Sequence, residues 1–110
     1  SVGFVNEPVF RMDANKIREL SAKSGHHKTS KFQPSAASIH PVTKKLFIIS
    51  SASSQLVIAD QNGTPEQVFE LGEKLFPQPE GLTFKNDGTM YISNEGVTAK
   101  ATVLMFRFKP

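Results

Sequence analysis

Short apolar runs rich in β-branched and aromatic residues punctuate the chain: Leu46-Phe47-Ile48-Ile49-Ser50, Leu56-Val57-Ile58-Ala59-Asp60, Gln67-Val68-Phe69-Glu70-Leu71, Met90-Tyr91-Ile92-Ser93-Asn94 and Leu104-Met105-Phe106-Arg107-Phe108. Residues of this kind fit a pleated, half-buried surface, and runs this short favour strands over helices. Between them, Gln61-Asn62-Gly63 and Asn86-Asp87-Gly88 supply the residues that tolerate positive φ, as tight hairpin connections require. Pro34, Pro41, Pro65 and Pro79 fall at the edges of runs, where a missing N–H removes no central ladder bond. The pattern predicts antiparallel strands joined by short turns.

The runs also repeat. Gln33-Pro34-Ser35-Ala36-Ala37-Ser38-Ile39-His40-Pro41 lies over Gln78-Pro79-Glu80-Gly81-Leu82-Thr83-Phe84-Lys85-Asn86 at an offset of 45, and Leu46 to Ser50 lies over Met90 to Asn94 at 44. Val9-Phe10-Arg11-Met12-Asp13, Leu56 to Asp60 and Leu104 to Phe108 form a third series, at offsets of 47 and 48. A further strand follows two of these, Ile17-Arg18-Glu19-Leu20 and Gln67 to Leu71. Over the first of them a short helix competes, capped by Asp13, facing inward with Ile17 and Leu20 and ending at Ser24-Gly25. The repeat favours the strand.

With the strands of one unit lettered A to D, the chain reads C-D with a basic loop over 1–31, a complete unit over 32–75, and A-B-C over 76–110. A period of about 40 to 45 residues holding four antiparallel strands is the signature of a β-propeller blade. A sandwich or a solenoid would also use many short strands, but unrelated strands would not keep a constant offset. A ring of four to eight blades needs roughly 170 to 350 residues at this period. The expectation is therefore an all-β chain of about two and a half blades, a fragment of a larger ring. Its exposed strand edges would invite pairing between copies.

Composition narrows the classes. Of 110 residues, 38% are hydrophobic and 21% charged, a globular balance. No apolar stretch approaches the roughly 20 residues that span a bilayer as a helix. The absence of cysteine excludes disulfides, thiolate metal sites and cysteine nucleophiles. Ser1-Val2-Gly3 carries neither the basic nor the apolar region of a signal peptide, so any such peptide is expected to lie outside this segment. The net charge of +3 is local: Arg11, Lys16, Arg18, Lys23, Lys28 and Lys31 face only Asp13 and Glu19. With no aromatic residues among these charges, a solvated loop is expected and no nucleic-acid partner, although a polyanion is the partner such a segment would take.

Phe76-Pro77-Gln78-Pro79-Glu80-Gly81-Leu82-Thr83-Phe84, Asn86 to Gly96 and Ala101 to Phe106 resemble the closing blade of the SdiA-regulated family of bacterial β-propellers. Phe32 to Pro41 with Leu46 to Ser51 resembles the blade before it. The chain departs at Ala36-Ala37, where relatives more often carry Gly, and in the basic insertion around His26-His27. The resemblance implies a six-bladed, NHL-like propeller exported to the periplasm or cell envelope, with no assigned activity. Similar Pro-Glu-Gly openings occur in calcium-dependent lactonases and phytase-like propellers, where a carboxylate at the start of the innermost strand helps hold a metal.

Glu80 is accordingly the first candidate ligand, with Asn94 and Glu95 at the end of strand B reaching the same mouth. Hard oxygen donors of this type suit Ca²⁺. The plainer reading pairs Glu80 with a basic residue or a backbone N–H and leaves Asn94 and Glu95 in a turn. The matching positions in the preceding unit are Ser35 and Ser50-Ser51, so no ring of carboxylates repeats. His26-His27 reads as solvated, and His40, before Pro41, as a turn cap or exposed. Ser50, Ser51, Ser53 and Ser54 read as loop polarity, since no Gly-x-Ser-x-Gly elbow is present. Phe47, Ile49, Leu56, Ile58, Val68, Phe69, Phe84, Tyr91, Ile92 and Phe106 read as blade-to-blade core. The leading expectation is a non-catalytic binding scaffold that takes an unknown ligand or protein at its channel mouth or rim. The alternative is a calcium-dependent lactonase or phytase-like hydrolase with Glu80 on the metal.

Overall fold

The computed structural model describes residues 3, 11–23, 31–96 and 100–110. Its elements are helix α1 (Ala14–Lys23) and strands β1 (Pro34–Ile39), β2 (Leu46–Ser50), β3 (Gln55–Ala59), β4 (Pro65–Glu70), β5 (Pro79–Phe84), β6 (Met90–Asn94) and β7 (Thr102–Phe106). They form two antiparallel sheets, β1-β2-β3-β4 and β5-β6-β7, each a meander in chain order. Turn chemistry explains the meander. Gly63 and Gly88 adopt φ of 83° and 92°, and Asp60 and Asp87 fold their carboxylates back onto backbone N–H groups of Thr64 and Thr89.

Strand periodicity decides which faces meet. Ala36, Phe47, Ile49 and Leu56 on one face of the first sheet pack against Leu82, Met90, Ile92, Leu104 and Phe106 of the second, with Leu71 and Phe76 of the connection completing the cluster. Ile49 and Ile92 are 0% and 1% exposed. Burial of each contributes about 1.5 to 3 kcal/mol relative to an exposed side chain. Ile48 holds in the first sheet the ladder place that Ile92 holds in the second, yet Ile48 lies on the face turned away from the second sheet. The sheets therefore stack head to tail, like successive blades. The outer face of the second sheet stays open, with Val103 67% and Met105 54% exposed.

The opposite face of the first sheet is covered by α1, whose Ile17 packs on Val57 and Val68 with Met12, Leu20 and Phe32 around them. The strand expected over Ile17 to Leu20 is thus a helix. Local chemistry outweighs the repeat here: Asp13 Oδ1 accepts from Asn15 N at 2.8 Å, and the segment is rich in residues with high helix propensity. Ile17 and Ser21, one helical turn apart, both turn inward. Of the matching strand over Val9 to Asp13, Val9 and Phe10 lie outside the described residues, and Arg11 to Asp13 is not in a strand.

The third repeat series also shifts. Leu46 pairs with Ala59 and Met90 with Phe106, so β3 and β7 correspond at an offset of 47 throughout, and Leu104 matches Val57. Aligning Leu104 with Leu56 would send every β7 side chain to the other face. Both runs are continuously apolar, so their composition does not fix the register.

Candidate functional site

The same irregularity opens both sheets. The β1-β2 register shifts between Pro34 and Ala36, and the β5-β6 register between Pro79 and Gly81. Ser35 and Glu80 are therefore the extra residues of equivalent bulges, a device that re-aims a side chain out of the ladder. Gly81 beside it leaves the Ser93 hydroxyl its place, since a Cβ there would lie 2.0 Å from Ser93 Oγ and turn that hydroxyl aside.

Around Ser35 the hydroxyls are consumed by structure. Ser35 Oγ accepts from Ser51 N at 3.2 Å and lies within donating distance of Ile49 O (3.2 Å) and of Pro79 O (3.1 Å) in the other sheet. Ser50 Oγ accepts from Gln33 N, from Ser53 N and from Ser53 Oγ, the last at 2.8 Å. Ser50 and Ser53 are 0% and 1% exposed. They are buried ties of the first sheet's Gln-Pro end, not loop polarity. Ser54 instead adopts φ of 52°, and its carbonyl accepts from Leu71 N at 2.8 Å.

In the second sheet Asn94 takes the place of Ser50, opposite Pro79. Its Nδ2 donates to Leu75 O and Thr102 Oγ1, both at 3.1 Å, which braces the inter-sheet connection against β7. Its Oδ1 is buried with no hydrogen-bond partner. The backbone of Glu95 is fixed by its N–H to Gln78 O at 2.9 Å, while the Glu80 and Glu95 side chains are exposed. The fold brings Glu80, Asn94 and Glu95 to one end of one sheet, as expected, but turns the amide inward and leaves the carboxylates in solvent. Among the described residues no three His, Cys, Asp or Glu side chains gather as a metal-binding group.

The other end of the sheets is aromatic. His40 is 3% exposed and sits among Phe47, Phe84 and Phe108, with ring centroids 5.5, 4.9 and 4.5 Å away. Its Nδ1 accepts from Val42 N (3.2 Å) and Thr43 N (3.1 Å), closing the β1-β2 turn. His40 is thus the cap expected, but a buried one. Burial pushes its pKa below the ordinary imidazole value of 6.5. Gly88 makes the approach possible, since a Cβ there would lie 2.8 Å from Phe108 Cβ and 3.0 Å from His40 Cε1. Beyond these rings the sheets part, leaving a cleft of about 660 Å³ lined by Phe47, Ile58 and Gln67 on one side and Phe84, Met90 and Phe106 on the other. Lys45, Arg107 and Lys109 reach its rim, and Lys45 Nζ is held by Glu66 Oε1 at 2.6 Å.

Sequence reasoning overlooked this end because its parts lie as far apart as His40 and Phe108 and meet only through sheet stacking. The sole local signal was a histidine opening a turn. Of the residues expected in the inter-blade core, Val68 packs under α1 instead, Phe69 is 46% exposed, and Tyr91 lies on the open face of the second sheet. His26-His27 lies outside the described residues.

Head-to-tail stacking of antiparallel meanders, with matching bulges at one end and matching turns at the other, is consistent with part of a β-propeller. The chain belongs to the SdiA-regulated family, whose sequence model matches residues 7–98. No curated protein shows significant sequence similarity to it.

Proposed function

We propose that the chain is part of an NHL-like, six-bladed propeller of the bacterial cell envelope or periplasm that serves as a non-catalytic binding scaffold, meeting a ligand or protein at its channel mouth or rim. One observation carries this reading. The serines and the asparagine at the Gln-Pro end are spent on one another and on the backbone, while His40, the histidine among the described residues, lies at the opposite end. A nucleophile needs a base within hydrogen-bond reach, and among the described residues no histidine is placed beside these hydroxyls. The exposed carboxylates of Glu80 and Glu95 instead decorate a rigid rim.

A hydrolase reading keeps one specific support, the buried Asn94 Oδ1 that lacks a donor. Such an oxygen, with Glu80 from the neighbouring bulge and Glu95, is of the type Ca²⁺ takes, and the ion would polarise an ester or phosphate oxygen. Calorimetric titration of the protein with Ca²⁺, repeated on Glu80→Gln, separates the two. The scaffold reading expects no heat of binding; a site lost in Glu80→Gln would replace it with the hydrolase. Self-association is proposed through β7, which among the described residues pairs only with β6. A clean monomer in sedimentation at high concentration would remove that part.

A further inference from the structure

The cleft between the sheets at the turn end has features that packing alone does not use. His40 lines it and is almost wholly buried, and its Nδ1 is committed as an acceptor to Val42 N and Thr43 N. A neutral ring then carries its proton on Nε2, which makes no hydrogen bond among the described residues. The walls are apolar and largely aromatic: Phe47, Phe84, Phe106, Met90 and Ile58. At the rim, Lys45 is paired with Glu66, whereas Arg107 and Lys109 show no ion pair among the described residues. A volume of about 660 Å³ is in the range that holds a small organic ligand.

We propose that this cleft is a binding site for small aryl carboxylates. The flat apolar body would lie beyond the touching rings of Phe47 and Phe84, against Ile58, Met90 and Phe106, where edge and face contacts with aromatic rings are favourable. The carboxylate would face Arg107 and Lys109, and the unpartnered imidazole N–H would favour a ligand that presents an acceptor over a pure hydrocarbon. A cationic aryl ligand would meet the same rim with like charge. The site lies at the far end of the sheets from Glu80 and is independent of whether the Gln-Pro end binds a metal.

The test is calorimetric titration of the protein with 2-naphthylacetate, and with 2-naphthaleneethanol and 2-naphthylethylamine as neutral and cationic counterparts. The carboxylate is expected to bind saturably below about 1 mM. The alcohol should bind about fivefold to tenfold more weakly, the amine more weakly still. Arg107→Gln with Lys109→Gln should bring the carboxylate down to the alcohol's affinity, as loss of two exposed ion pairs implies. Gln67→Trp should abolish binding by filling the mouth from an exposed strand position. None of these three residues is part of the buried core, and unchanged thermal unfolding of each variant would show that folding is intact. No saturable binding, equal affinity for acid and alcohol, or binding untouched by Gln67→Trp would each overturn the proposal.

Discussion

At the Gln-Pro end a short polar tie joins the two sheets, Ser35 to Pro79 O, and Asn94 braces the connection between them through Leu75 O and Thr102 of its own sheet. At the turn end they are joined by rings, with His40, Phe47, Phe84 and Phe108 in mutual contact and a cleft beyond them. Directional bonds between backbone and small side chains draw strands close and leave little room. Aromatic rings hold elements at ring distance, and where the ring layer ends, volume remains. One end is therefore suited to fixing the angle between the sheets, the other to admitting something between them. Both depend on the apolar layer midway, which sets the spacing that each end inherits.

That dependence gives the largest expected effect. Ile92→Ala removes a side chain 1% exposed at the centre of the inter-sheet cluster and should cost about 2 to 5 kcal/mol, read as a lower urea midpoint. Both ends should loosen together. Asn94→Ala acts at one end alone. It deletes two hydrogen bonds and leaves Leu75 O without its donor, for a loss of about 1 to 3 kcal/mol by the same measurement. If the polar end is what fixes the sheets, hydrogen exchange should speed up over β5 to β7 in Asn94→Ala while the His40 turn stays protected. Equal acceleration at both ends would mean that the two are not separable.

The strands were legible because each has a local cause: apolar runs, Gly at the positive-φ turn positions, and prolines at the margins. Six of them, β1 to β6, lie where the repeat places them, and β7 lies one residue out of its register. The helix over Ala14–Lys23 was legible too, in Asp13, Ile17 and Leu20, but the repeat was given more weight than the cap. The one-residue register of β7 was not legible, because Val103, Leu104, Met105 and Phe106 are all apolar and only the ladder distinguishes them. Glu80 could be placed at the start of its strand, and the bulge that turns it outward repeats at Ser35. What no pattern in the chain conveys is that Asn94 faces Leu75 or that His40 faces Phe108, since both contacts exist only once the sheets have stacked.

The smallest effect concerns His40 and separates cap from ring. Protonation would turn Nδ1 into a donor facing the N–H groups of Val42 and Thr43, and would place a cation in an aromatic cage whose rim already carries Lys45, Arg107 and Lys109. Glu66, the carboxylate lining the same cleft, is engaged by Lys45. Burial, which makes the charged ring costly, holds the folded pKa below the unfolded value near 6.5, and the unfolded chain binds more protons between the two. Stability is full above 6.5, declines as pH falls from there through the lowered folded value, and levels off below it. His40→Asn keeps a side-chain oxygen for the turn and removes the titrating ring. Urea midpoints measured from pH 7.5 to 5 should fall more steeply in the parent than in His40→Asn, and the difference isolates His40 from the other histidines. Parallel curves would mean that the imidazole serves only as another ring and that the turn end is held by aromatic packing without the cap.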